Sequence, residues 1–477
     1  MLSFAVDYAR RLGAGYAEAR FQKDVKESVV LKNGVPEVSA RSVTQGVSVR
    51  VIVGNSMGFS STNELRKQSI RRVVRDAVDM ARAAVKVLSK GVSMGEGKLG
   101  RGKVEVKPRV PFDVVDVEAK TEYLREADKA AVEACEKRGV KLPSRLIEVG
   151  RWDTEKHVVT SDGADVYHRI PRVTGEYFLT AYHPQRGSIQ RFENLGEARG
   201  WEAVELWNLP QRLGEESEAL AKMLLEAVEP PVDEEVDVVV DSEIVGIVCH
   251  ESAGHPGEAD RVLGREAAQA GESYIKPDLL GTQIGSEHVT VVDDPSLPKS
   301  FGYYLYDDEG VEVRERKLIE NGILKELLHN RETAAVFGVE SNGAARASSY
   351  DVEPIIRMAN TYMKPGDYSL QELIEDVRRG VYIRSYQEWN IDDIRWNQRY
   401  VGVESYLIED GELRKPVRNP VIELTTRDFY SSIDAVGKEL KFSAGYCGKG
   451  DPMQGIPVWF GGPPVRLRGI RLGRRPA

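Results

Sequence analysis

Residues 16–62 leave the chain little choice of conformation. The segments YAEARFQ, ESVVLKNG, VPEVSARSV and GVSVRVIVGNSMGFSST alternate apolar and polar residues, with Asn33-Gly34 and Gly54-Asn55 between them. A period of two sorts side chains onto the two faces of a strand, and Asn-Gly accepts the positive φ of a tight turn. The pattern predicts an antiparallel meander. Residues 63–88 then change period: Ile70, Val73, Val74, Ala77, Met80 and Ala81 recur at spacings of three and four. That is an amphipathic helix whose apolar stripe must pack on the sheet. A shorter helix is expected over residues 3–12.

Residues 90–111, KGVSMGEGKLGRGKVEVKPRVP, have no periodicity and read as a linker. Beyond them come a helix near 115–138, a strand-rich stretch with Asp162-Gly163 at a hairpin tip, and a helical run over 213–229. The remainder opens on an apolar strand, VDVVV, running into a helix that starts at Asp241 or Ser242, either of them a good N-cap. Strand and turn signals dominate after it. We therefore expect an α+β fold of antiparallel sheets with packed helices, divided as 1–95, 110–230 and a strand-rich C-terminal domain, 231–477, that carries the site helix.

Composition limits the partners. A formal charge of −9 disfavours phosphate backbones unless the cations cluster. The one basic cluster, RLRGIRLGRR, alternates arginine with Leu467, Ile470 and Leu472 and reads as a solvated strand edge, so no nucleic acid is expected. No apolar run approaches the roughly 18 residues of a membrane span, and Asp7, Arg10 and Arg11 interrupt the N-terminus where a signal peptide is apolar. A cytoplasmic protein with no membrane partner is the expectation. Three cysteines, Cys135, Cys249 and Cys447, form no disulfide framework.

The chemistry concentrates in HESAGH, residues 250–255. In H-E-x-x-H zinc sites two histidines four apart share a helix face, and the intervening glutamate is the general base. Here His250 and His255 are five apart, about 140° around an ideal helix, and cannot share one ion in regular geometry. Two distortions would bring them together: a π-bulge, or a helix ending at Gly254 in the left-handed conformation with Pro256 blocking continuation. A catalytic zinc needs a third protein ligand. Glu258, Asp260 and Glu266 are nearest in sequence, and the more suggestive distant group is Cys447 in SAGYCGKGDPMQG. Cys135 and Cys249 read as buried apolar residues, and His157, His168, His183, His288 and His329 as structural. DDEG, residues 307–310, and the Asn-Gly pairs at 321–322 and 342–343 read as turns, and Arg346 receives no role.

The chain resembles the TldD/PmbA family of metallopeptidases, in its metal-bearing TldD-like branch, through GVSVRVIVGNSMGFSSTNEL, SDGADVYHRIPRV, HESAGHPGEAD, RMANTYMKPGD, SYLIEDGEL and YCGKGDPMQGIPV. The resemblance implies a zinc (Zn2+) peptidase with His250, His255 and Cys447 as ligands and Glu251 as general base. It also implies cleavage of unstructured peptides or small unfolded proteins, and a homodimer or a heterodimer with a metal-free PmbA/TldE-like subunit. Residues 390–399, NIDDIRWNQR, depart from the Gly-Gly-x-Val-like turn usual in the family. Two other readings compete: a non-catalytic, gyrase-modulator-like regulator that captures peptides or a partner, and a metal-dependent hydrolase of non-peptide amides.

Overall fold

The computed structural model describes residues 1–86, 91–266 and 271–474. The ends of three segments discussed above, residues 87–88, Lys90 and Arg475, lie outside the described residues. The fold is α+β. Its first layer is an eight-stranded sheet that begins with β1 (Tyr16–Lys32) and β2 (Val35–Val53), a long hairpin turning at Asn33-Gly34, followed by β3 (Ser56–Thr62). The four short segments expected between Tyr16 and Thr62 are thus three strands, because the β1–β2 pairing runs unbroken through residues 23–26 and 44–46.

The sheet continues through β4 (Arg101–Glu105), β5 (Lys141–Thr160), β6 (Asp165–Ile170), β7 (Val173–His183) and β8 (Gly187–Glu197). β1 pairs with β5 along fifteen residues, from Glu18 opposite Thr160 to Lys32 opposite Leu146, so residues on both sides of the Gly-rich stretch share one sheet. That stretch is not all linker: β4 lies within it and pairs in parallel with β6. Backbone pairing with β6 supplies the order that side-chain periodicity did not announce.

Helices cover the sheet in two groups. α1 (Leu2–Arg11) and α2 (Lys67–Ala84) pack Ala5, Ala9, Ile70, Val74 and Ala77 against Val47, Val49 and Val51. Met80, counted in the apolar stripe, is 53% exposed, and Val78 is buried instead. α3 (Val117–Glu136), α4 (Trp201–Trp207) and α5 (Leu209–Glu226) cover the other half, with Leu124, Ala131 and Leu220 in a core with Ile147 and Tyr177.

The C-terminal part holds two six-stranded sheets. β9 (Val236–Val240) runs inside one, parallel to Arg379–Ile383 and antiparallel to Val465–Ile470. The basic cluster therefore does not form a solvated edge. Arg466 is buried and Arg468 half-buried, and both are neutralised by Asp434 and Asp376. α6 (Ser242–Cys249) follows β9 and packs on the second sheet, which ends in the antiparallel strands Gln454–Gly462 and Lys441–Lys449. The helix comes close because Gly246 faces Gly461, where a Cβ would meet backbone nitrogen at 2.7 Å.

DDEG does turn, with Gly310 at φ +77°, but its acids are buried as well. Asp308 pairs with Arg20 at 3.2 Å and Lys156 at 2.7 Å, and Glu309 with Arg50 at 2.6 Å, joining the first sheet to the C-terminal part. Removing one partner of such a group strands a desolvated charge, here Glu18 and Glu309 around Arg50. Arg50→Ala is expected to lower unfolding free energy by about 3–5 kcal/mol in urea denaturation; a loss below about 1 kcal/mol would contradict this account of the junction.

Candidate metal centre

Asp241 caps α6, its carboxylate accepting from Ser242 N at 2.7 Å. The helix continues into a single π turn, His250–Gly254, closed by a hydrogen bond from His255 N to His250 O at 3.0 Å. Of the two distortions open from sequence, the structure adopts the bulge. Gly254 does not take the left-handed conformation; it is required for space, since a Cβ there would meet Met358 Sδ at 2.0 Å. Pro256 has no N–H to offer the carbonyl of Ser252, four residues back. The Tyr274 hydroxyl donates to that carbonyl instead, at 2.9 Å.

The extra residue in the turn brings the rings of His250 and His255 to 4.8 Å between centroids, at 82° to each other. Cys447 arrives from the strand Lys441–Lys449, 192 residues later, with Sγ 3.4 Å from His255 Nε2. One ligand-type atom from each of His250, His255 and Cys447 lies within 4.8 Å of the others, and this is the one such group of three among the described residues. All three residues are buried. Glu258, Asp260 and Glu266, the acids nearest in sequence, are not in the group. Glu258 stands behind it: Oε2 pairs with His255 Nδ1 at 3.1 Å and accepts from Arg261 Nε at 2.6 Å.

Two cations near Cys447 were not singled out by the sequence reading. Lys449, two residues along the same strand and so on the same face, reaches Glu258 at 3.3 Å and Asp260 at 2.7 Å. Arg357 donates to the carbonyl of Cys447, and to Gln454 O at 2.7 Å. Burial pushes the Cys447 thiol up, but His255 and Arg357 outweigh it and bring the thiol down to about 7. Burial alone raises the other two, Cys135 to about 11 and Cys249 to about 12. Strand period two was the available signal for Lys449; Arg357 had none.

Glu251 faces the loop 392–396, where Arg395 Nη1 donates to its Oε2. Burial pushes the Glu251 carboxyl up, and the positive charge around it, Arg395 included, holds it below the usual value. Burial lowers His250, favouring the neutral imidazole that ligates metals, and its Nδ1 is buried with no hydrogen-bond partner. His168 and His329, both buried, are pushed down to about 4 by desolvation, while His157 pairs with Asp165 at the surface. Arg346 is also buried, donating to Met358 O at 2.6 Å and Pro457 O at 3.0 Å behind the site.

Three family descriptions match the chain: PmbA/TldA metallopeptidase domain 1 over residues 17–81, the central domain over 110–225, and the C-terminal domain over 233–474. A metalloprotease of Methanothermobacter thermautotrophicus is 33% identical over 463 residues, covering 96% of this chain and 95% of its own. A zinc metalloprotease TldD homolog of Saccharolobus solfataricus is 30% identical over 468 residues, with 98% of each chain covered. The crystal structure of TldE from Thermococcus kodakarensis shares the fold, with a TM-score of 0.76 over 99% of both chains at 18% identity.

Gly254→Ala tests the tight turn directly. The added methyl must displace Met358, a flexible side chain, and is expected to cost about 1–3 kcal/mol of stability by overpacking, measured by denaturant unfolding. A neutral substitution would contradict the close packing of this turn.

Proposed function

The chain belongs to the TldD/PmbA family of metallopeptidases, and from that membership and the site geometry we propose a zinc-dependent peptidase acting on unstructured peptides and small unfolded proteins. The observation that carries this reading is the gathering of two imidazoles and one thiol within 4.8 Å of one another. The donor set suits zinc, which takes imidazole nitrogen and thiolate sulfur, and Cys447 Sγ already lies 3.4 Å from His255 Nε2. The orphaned Nδ1 of His250 and the low thiol of Cys447 suit it too. Bound by His250, His255 and Cys447, zinc supplies Lewis acidity, lowering the pKa of a water and polarising a peptide carbonyl.

The protein's own groups do the rest. Glu251 accepts the proton of the attacking water and returns it to the leaving amine nitrogen, ending the cycle ionised. Glu258 fixes the tautomer and orientation of His255 through Nδ1, and Lys449 and Arg261 keep Glu258 charged.

Substrate chemistry follows from the strand that carries Cys447. Lys441–Lys449 is the last strand of its sheet, so an extended peptide laid beside it gains backbone hydrogen bonds with little regard to side chains. Tyr446 points to the opposite face of that strand, into a groove of about 620 Å3 lined also by Trp152, Lys26 and Ser348. The assembly follows the family: the chain pairs with itself or with a metal-free TldE-like subunit. A cytoplasmic location belongs to the same reading; no described helix is long and apolar enough to cross a membrane.

Metal analysis and peptide cleavage test the proposal together. Purified protein is expected to carry about one zinc per chain and to lose cleavage on chelation. Glu251→Gln should keep the metal while cleavage falls by about 10²–10⁴-fold; full cleavage by that variant, or cleavage indifferent to chelators, contradicts the mechanism. Glu258→Gln should weaken zinc affinity by about 10–100-fold in competition with a chromogenic chelator, and an unchanged affinity would contradict the part given to Glu258.

A further inference from the structure

The segment that departs from the family pattern supplies a charge to the site. We infer that Arg395 is a catalytic residue: its guanidinium passes from the Glu251 carboxylate to the oxyanion of the tetrahedral intermediate as the proton moves the other way. The inference rests on the peptidase reading above.

Three observations lead to it. First, the guanidinium lies directly on the proposed general base, with Arg395 and Glu251 both buried. A general base must sit within about 3 Å of the water it deprotonates, so a donor bound to that base lies beside the place where the attack is prepared. Second, the backbone that presents Arg395 is held from several sides. The Asp392 carboxylate accepts from Trp396 N at 2.7 Å and Asn397 N at 3.1 Å, and Arg395 O accepts from Thr426 Oγ1 at 2.9 Å. Ile394 O accepts from Tyr274 N at 2.8 Å, and the Tyr274 ring packs edge-on against Trp396 at 5.2 Å. Tyr274 is the residue whose hydroxyl braces Ser252 O, so one side chain fixes both the turn carrying Glu251 and the loop carrying Arg395. Third, Arg395 has φ +63°, a conformation that side-chain-bearing residues adopt rarely and that persists where surrounding contacts impose it, often at functional sites.

The charge balance then assigns the role. Before reaction the pair is Arg395⁺ and Glu251⁻. An O–H bond of water breaks, its proton goes to Glu251, the water oxygen bonds to the carbonyl carbon, and the C=O π pair moves onto oxygen. The negative charge has left Glu251 and appeared on the substrate oxyanion. At that moment the carboxylate that the guanidinium contacts becomes neutral, and the attraction moves to the new oxyanion. When the oxyanion re-forms C=O, the C–N bond breaks, Glu251 gives its proton to the nitrogen, and the ion pair is restored. In both states the cation is paired, and the braced loop keeps reorganisation small.

The test compares wild type, Arg395→Ala and Arg395→Lys as full-length, zinc-loaded proteins on one unstructured peptide. It also measures inhibition by the phosphinic analogue of that peptide, an anionic tetrahedral mimic. For Arg395→Ala, kcat is expected to fall by about 10²–10³-fold with KM within about threefold. Phosphinate affinity should fall by a similar factor, and Arg395→Lys, which keeps the charge, should recover part of both. A loss of kcat with unchanged phosphinate affinity would overturn the role, because a residue that only orients Glu251 makes no contact with the oxyanion. Unchanged kcat would overturn it as well. If Arg395→Ala fails to fold by thermal melting, Arg395→Lys alone decides: it must lose both kcat and phosphinate affinity, or the inference falls. A wild-type protein that cleaves no peptide contradicts the peptidase reading and takes the role of Arg395 with it; equal turnover by wild type and variants contradicts only the latter.

Discussion

The hydrogen bond from His255 N to His250 O spans five residues where a regular helix would span four, and the site follows from it. Without that wider turn the two imidazoles would point about 140° apart. Three local features permit it. Gly254 leaves room for Met358, Pro256 withholds the N–H that would compete for Ser252 O, and Tyr274 satisfies the carbonyl so released. A π turn is less favourable than an α turn, and the close packing of α6 against Gly461 holds the helix in place while the turn widens.

Charge inside the site is arranged in layers. His255 passes from Cys447 on one ring nitrogen to Glu258 on the other, and Glu258 passes in turn to Arg261 and Lys449. His255, Glu258, Arg261 and Lys449 thus meet one another's charges out of water, while the buried Arg346 and Arg357 are met by backbone carbonyls. Opposite charges also meet at the junction between the first sheet and the C-terminal part, where Arg20, Arg50 and Lys156 meet Asp308 and Glu309. That junction steadies the scaffold that brings Cys447 and the site helix together.

Much of this was legible in the sequence because local periods carried it. The β1–β2 hairpin, α2 and the start of α6 follow from alternation, helical spacing and an aspartate cap. The histidine spacing together with Gly254 and Pro256 pointed to a distorted helix, although nothing local separated a bulge from a left-handed end. What decided between them was Met358 and Tyr274, which are distant in sequence. Long-range partners explain the other gaps. β4 is ordered by pairing with β6, DDEG is buried by arginines from β1 and β2, and the arginines of the last strands are neutralised by Asp376 and Asp434. Arg395 belongs to the same class: residues 390–399 were visibly unusual, but only the fold sets one of them against Glu251.

The central claim is that two imidazole nitrogens and one sulfur hold a single zinc ion. X-ray absorption at the zinc edge of the purified protein reads that shell directly. The account predicts one sulfur near 2.3 Å and two imidazole nitrogens near 2.0–2.1 Å, with the sulfur contribution lost in Cys447→Ser. A shell of oxygen and nitrogen alone in the wild-type protein, or a sulfur shell that survives Cys447→Ser, would contradict it.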